Sequence, residues 1–300
     1  MARLVCLIAL LTGATLLLQG AVQPASGEPS ANSPRMPDQA ACQRAGFRAV
    51  IDVGHTAEAP GAKSARGIYE YVFNLVLARR IEQQLLGSGF ERTVLLVTDG
   101  PAREGLFQRV ARANHLSPDL LLSIHHDSVP DKFLAKWEFE GEERSFSDRF
   151  KGHSIFISRN NRDRNGSLQF ASQLGSRLRE HGLQYTPHYT ERFMGSRQRQ
   201  LVDPVAGVYR YDQLIVLKDT QMPAALLEAG SIINRGEELR MGSEEHQSRV
   251  SAAVADAVED FCASRRAPAP VASKVAAGNA RRQLASPTAA ALPAKPARQH

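Results

Sequence analysis

Three short apolar runs, each ending in a titratable residue, constrain this chain more than any other feature. Residues 47–53 lead into Gly54-His55, residues 119–124 lead into His125, and residues 223–227 end in Glu228. An apolar run of this length, bounded by turn residues, reads as a strand covered on both faces. That is the habit of parallel sheets sandwiched between helices. Helical periodicity fills the intervals. Ile68, Val72, Leu75, Ala78, Ile81 and Leu85 recur at three- and four-residue steps, as do Leu106, Val110 and Ala113 within 102–114. Leu168, Ala171, Leu174 and Leu178 repeat the pattern within 167–181, and Val250 to Phe261 repeat it within 244–261. Further strands are expected at 93–98, 154–158 and 214–217. Alternating strands and helices predict an α/β fold: a three-layer sandwich, with a mostly parallel twisted sheet and helices on both faces. Residues 131–151 have mixed charge, four aromatics and no clean period, and read as an insertion over the site or a long loop. Residues 185–211 read as irregular and basic.

Charge and composition divide the chain. The formal net charge is +6, yet residues 264–300 carry seven Lys/Arg and no acid, so the remainder sits near −1. The basic character belongs to an Ala/Pro-rich tail with the composition of disorder, and the folded part gives no reason to expect nucleic acid as a partner. Residues 1–27 read as a signal peptide: Arg3, then an apolar stretch over 4–18, then small residues. That stretch is too short for a confident membrane span, and no later one is long enough. Residues 28–45 read as a linker and 46–263 as the folded domain. Export removes Cys6 with the signal and leaves Cys42 and Cys262, which an oxidising compartment would join across the ends of the domain. Two unpaired thiols are the alternative.

The residues at the strand ends suggest a metal. Catalytic zinc sites take three protein ligands, often two His and one carboxylate, and leave a position to water. His55, Glu70 and His125 fit that count, and open sheets place their ligand crevice at the carboxyl ends of strands. Taken singly each residue has a plainer reading: a hydrogen-bonded structural histidine, or for Glu70 a first-turn acid favoured by the helix dipole. Glu228 ends an apolar run, where a carboxylate must be paired or have its pKa raised. Two readings stay open for it: a general base acting on water, or a buried acid bonded to Lys218 or Arg66. The remaining histidines, His115, His153, His181, His188, His246 and His300, read as surface or structural.

The order of motifs carries a resemblance. IDVGH is followed by Glu70 and Asn74, then by Arg109-x-x-x-Ala113-Asn114 leading to Ser123-Ile124-His125. Val216-Leu217-Lys218 and Pro223-x-x-Leu226-Leu227-Glu228-Ala229-Gly230 with Asn234 complete the set. Over roughly 47–261 the chain resembles the zinc-dependent N-acetylmuramoyl-L-alanine amidases of the amidase-3 type. The resemblance implies that His55, Glu70 and His125 bind Zn2+ and that Glu228 is the catalytic carboxylate. It implies a peptidoglycan substrate, cut between N-acetylmuramic acid and L-alanine by zinc-activated water, and action outside the cytoplasm, in the periplasm or cell wall. A monomer is expected, and an activator protein is held open as a partner because some relatives cover the zinc with a segment in the region of 131–151. Glu138, Glu140, Glu142 or Glu143 would then block the site; a groove wall or a solvated loop is the other reading.

This sequence departs from the family pattern at Val53 and Thr56, where Pro and Gly are usual, and at His126, where a small residue is usual. On a strand His125 and His126 face opposite ways, which leaves His126 as a substrate contact or a structural residue. Two other functions compete: a carboxypeptidase-like zinc peptidase, and a catalytically degenerate wall-binding protein.

Overall fold

The computed structural model describes residues 42–266. The expected signal peptide, most of the expected linker and the tail beyond Arg266 lie outside the described residues. After a single helical turn at Arg44–Gly46 the chain runs β1 (Ala49–Val53), α1 (Glu70–Gly87), β2 (Val94–Leu96), α2 (Ala102–Leu116) and β3 (Leu120–Asp127). A hairpin comes next, β4 (Ala135–Phe139) and β5 (Glu142–Phe146), then β6 (Ser154–Ile157) and α3 (Arg164–Glu180). The remainder is β7 (Gln200–Asp203), β8 (Val208–Arg210), α4 (Ile215–Lys218), β9 (Ala224–Ser231), α5 (Arg235–Met241) and α6 (Glu244–Arg266).

Seven strands form the central sheet in the order β2-β1-β3-β9-β6-β8-β7. Four junctions are parallel; β6 meets β9, and β7 meets β8, antiparallel. Alternate residues of the strands feed two cores, as the pleat requires. Ile51, Leu122, Ile124 and Leu227 pack on α1, α3 and α6. Val50, Leu121, Phe156 and Leu226 pack on the other face with Ala113 of α2 and Val216 and Leu217 of α4. The expected three layers are present. Among the described residues no helix is long and apolar enough to cross a membrane.

Four segments differ from expectation. Where a strand is expected over 214–217, Ile215–Lys218 form one turn of helix. The apolar quartet is the same for either, and polar groups decide: Asn161 Nδ2 donates to Leu217 O at 2.6 Å and Thr220 Oγ1 donates to Val216 O at 2.8 Å. Residues 185–211 contain two strands, β8 inside the sheet and β7 at its edge, and residues 131–151 contain a hairpin instead of a loop. In α1 the buried stripe runs Glu70, Asn74, Leu77, Ala78, Ile81, Leu85, leaving Ile68 and Val72 exposed. Two polar residues hold the inward positions of the first turns, so the apolar period marks the buried face only from Leu77 onward. Leu168 is likewise exposed, because Ser167 faces in and its hydroxyl accepts Ala224 N at 3.0 Å.

Cys42 and Cys262 are disulfide-bonded, as expected of an exported chain. The bond ties the segment before β1 to the last helix, and the Arg44–Glu259 ion pair at 2.7 Å stands beside it.

Candidate metal centre

The four strands β2, β1, β3 and β9 run parallel, so their carboxyl ends share one edge. His55 lies just past β1, His125 lies in β3, and Glu228 is its direct neighbour on β9. Glu70 opens α1, which folds back over the same edge. His55, Glu70 and His125 offer ligand atoms that all lie within 4.8 Å of one another. Glu70 reaches both rings: Oε2 is 3.0 Å from His55 Nε2 and Oε1 is 2.9 Å from His125 Nδ1. Two imidazoles and a carboxylate at this spacing are a donor set suited to zinc, with a side left open for water.

Backbone geometry makes room for this convergence. A Cβ on Gly54 would stand 2.4 Å from His125 Nε2, and one on Gly61 would stand 2.6 Å from Glu70 Oε2. His55 itself has a left-handed backbone, φ 67°, a conformation that a side chain adopts at some strain. Arg109 holds it there: its Nη2 donates to Val53 O at 2.9 Å and to His55 O at 2.8 Å. The guanidinium is itself fixed by Asp52, whose Oδ1 is 2.8 Å from Nε and whose Oδ2 accepts Ser123 Oγ at 2.6 Å. Thr56 braces the loop from the other side, donating to Gly100 O at 2.7 Å and accepting Ala59 N at 2.9 Å. The two departures at Val53 and Thr56 therefore sit in a well-tied loop.

Asn74 supports the carboxylate. Its Nδ2 donates to Gly54 O at 3.1 Å and to Glu70 Oε1 at 3.3 Å, and its Oδ1 is 2.8 Å from His126 Nδ1. His126 thus points away from the cluster, as strand alternation predicts. Burial pushes its imidazole down to about 3, so it is a neutral structural residue that donates to Asn74. Burial works against charge on Glu70, yet the hydrogen bonds from His125 and His55 outweigh it and hold this carboxyl well below the usual range.

Glu228 is set differently. One carboxyl oxygen, Oε2, is buried without a hydrogen-bond partner. Burial, with Asp127 and Glu70 nearby, raises its pKa well above the ordinary value. Neither expected alternative partner is there: Arg66 pairs with Glu238, and Lys218 with Asp219. Glu228 lines a cavity of about 460 Å³ with His55, His125, Tyr189, Arg197 and Tyr211. Beside it Asp127 accepts the Tyr189 hydroxyl at 2.8 and 2.9 Å, and Arg197 Nη2 approaches Asp127 Oδ1 at 3.3 Å. Burial lifts Asp127 to about 6 against the pull of Arg197 and Tyr189.

The hairpin does not supply a ligand. Trp137 Nε1 donates to Ala65 O at 3.0 Å, and Arg235 stacks on Phe146 at 3.8 Å. Glu142 pairs with Arg144 and Glu143 with Lys136, and no glutamate of the hairpin belongs to the ligand cluster.

The sequence pattern of the family described as N-acetylmuramoyl-L-alanine amidase matches residues 49–260. The chain belongs to that family. The amidase is 26% identical over 225 residues, 74% of its length, to the uncharacterized protein YqiI of Bacillus subtilis (strain 168), of which 88% is covered. Among solved structures it is similar to the catalytic domain of the amidase CwlV from Bacillus (Paenibacillus) polymyxa var. colistinus. There the identity is 26% and the TM-score 0.52, covering 72% of this chain and 97% of that one. The amidase Ami1 from Mycobacterium smegmatis is 19% identical with a TM-score of 0.55, covering 73% and 98%, and supports the fold alone. By family this amidase is a peptidoglycan hydrolase, and its His-Glu-His trio could hold a metal ion.

Asn74, Asp127, Tyr189 and Arg197 were not singled out as site residues from the sequence. Asn74 stood in the motif without a role. Tyr189 and Arg197 lie in the segment read as irregular and basic, where only its charge was a signal.

Proposed function

We propose that His55, Glu70 and His125 hold a single zinc ion and that Glu228 is the general acid–base of a water-driven cleavage between N-acetylmuramic acid and L-alanine. The observation that carries this reading is the partnerless Glu228 oxygen in the same cavity as the ligand trio. Zinc bound there supplies Lewis acidity, polarising the scissile carbonyl and making water acidic enough to give up a proton near neutral pH. Glu228 accepts that proton at its carboxylate and returns it to the leaving nitrogen of L-alanine. Asp127 and Glu70 raise its proton affinity, which suits both halves of the transfer. Glu70 stays ionised, steadied by Asn74 and the amides of Ala62 and His126. Arg109 keeps His55 in its left-handed pose, and the cavity wall of Tyr189, Tyr211 and Leu214 limits water at the cleavage point.

The chain is read as exported to the periplasm or cell wall. The substrate lies there, and the Cys42–Cys262 bond suits an oxidising compartment. The test is zinc content together with peptidoglycan digestion, with and without chelator, on wild type and Glu228→Gln. About one zinc per chain and new L-alanine amino termini are expected. The Glu228→Gln variant is expected to keep its zinc and lose about 10²–10⁴-fold in kcat; full activity in it would remove Glu228 from the mechanism. Digestion by the isolated chain also decides whether an activator is needed.

A further inference from the structure

A second and larger cavity, about 620 Å³, opens on the other face of β9. Leu226 and Glu228 look into the metal-side cavity, whereas Leu227 and Ala229 line this one. His188 stands between them: its ring lines the second cavity, and its Nε2 is 3.5 Å from Asp127 Oδ2 on the catalytic side.

The chemistry of the second cavity is uneven. Arg149, Lys151, Arg240 and Arg249 stand on an exposed rim, against the carboxylates of Glu191 and Glu237. Among the described residues only Arg249 of these four cations is held in an ion pair, with Glu245 at 2.5 Å. Glu237 is occupied: both of its oxygens accept Gly152 N, at 2.8 and 3.0 Å, and one also accepts Ser231 N at 2.9 Å. Deeper in, His153 is 4% exposed, with the Gln184 backbone against its ring. His246 Nε2 is likewise buried. Among the described residues, three of the four rim cations thus stand outside any ion pair above a floor of buried rings, around a space of ligand size.

We propose that this cavity binds a small ligand carrying a carboxylate or phosphate group, on a site separate from the zinc cluster. The rim cations receive the anion. The floor selects what accompanies it. Burial pushes His153 down to about 4, so at neutral pH its ring is uncharged and the rim cations carry the positive charge of the cavity. The half-buried Leu183 and Phe193 beside them receive an apolar portion. An amino-acid or peptide carboxylate has both the anion and an apolar portion; a phosphate has the anion alone.

The experiment is calorimetric titration of the zinc-loaded mature protein with inorganic phosphate and, separately, with the dipeptide alanyl-glutamate. At least one probe is expected to bind with a Kd below about 10 mM. Lys151→Ala with Arg240→Ala is expected to weaken it at least about tenfold, a loss of one charge-assisted contact. The charge-keeping pair Lys151→Arg with Arg240→Lys retains binding, which separates recognition from folding. Glu228→Gln binds the same probe as wild type does, so the result stands apart from the amidase reading. Preference for the dipeptide assigns the anion to a carboxylate, and preference for phosphate assigns it to a phosphoryl group. Binding of neither probe overturns the site. So does binding that survives Lys151→Ala with Arg240→Ala, and so does binding lost in Glu228→Gln, which would place the ligand at the zinc.

Discussion

Two carboxylates at this centre, Glu70 and Glu228, behave in opposite ways, and their neighbours explain why. Glu70 receives hydrogen bonds from His55, His125, Asn74 and backbone amides, so its charge is held. Glu228 receives none at Oε2, so its charge is resisted. Supporting contacts of the Asn74 kind orient a metal ligand and sharpen its basicity. Asn74→Ala is therefore expected to lower zinc affinity about 10–100-fold, read by competition with a metal-sensitive dye; unchanged affinity would reduce Asn74 to a helix-packing residue. His153 yields a second expectation. Its pKa falls from the ordinary 6.5 to about 4 through burial. Above pH 6.5 the folded and unfolded rings are both neutral, and stability is unaffected. As pH falls from about 6.5 to about 4 the unfolded chain binds a proton that the folded chain refuses, so stability declines by up to about 3 kcal/mol and then levels off. Urea midpoints of wild type and His153→Gln across that window measure it, and parallel curves would contradict it.

At the scale of elements, the metal site depends on where strands stop and on the residues just beyond them. The β1 terminus must let the His125 ring pass within reach of Gly54, where a Cβ would stand 2.4 Å from Nε2. Gly54→Ala is expected to displace the ring and lower zinc content and activity at least about 100-fold, while Gly87→Ala, with nothing within 4 Å, is neutral or stabilising by up to about 1 kcal/mol. Equal effects of the two would mean that the approach at Gly54 is not tight. The strands that carry the site were legible in the sequence because they are buried on both faces and read as apolar runs, and because their polar residues come where the runs end. The helix α1 was legible in extent but not in face, since Glu70 and Asn74 take inward positions that a hydrophobic period cannot register. The turn α4 was misread because Leu214–Leu217 suits strand or helix equally, and the deciding groups, Asn161 and Thr220, come from outside the quartet. The strands β7 and β8 are four and three residues long and lie among Arg and Gln. Their pattern is too short to count, so Tyr189 and Arg197, which the same segment delivers to the site, went unassigned.

For the molecule as a whole, the layered core and the covalent closure act on different ends of the sheet. The candidate metal ligands and Glu228 cluster around the carboxyl ends of β1, β3 and β9. The disulfide joins Cys42, ahead of β1, to Cys262 near the end of α6, a sequence separation of 220. Around it Phe47 packs edge-on against Phe90 and Phe261, so the bond closes a region that is already apolar and ordered. Closing so long a loop removes much of the unfolded chain's freedom, about 5 kcal/mol on the chain-entropy account. That exceeds any single ion pair at this end, since exposed pairs such as Arg44–Glu259 contribute about 0–1 kcal/mol. Replacing both cysteines by alanine is thus expected to lower Tm by about 10–20 °C, with zinc content and activity at 25 °C unchanged because no catalytic residue touches the bond. Thermal melts of wild type with and without reductant, beside the double variant, measure the effect. Reductant should bring wild type to the variant's Tm and leave the variant where it is. A Tm shift of only a degree or two would mean that Phe47, Phe90 and Phe261 hold this end together without the covalent link, and loss of zinc in the variant would show that closure at one end of the sheet governs the other.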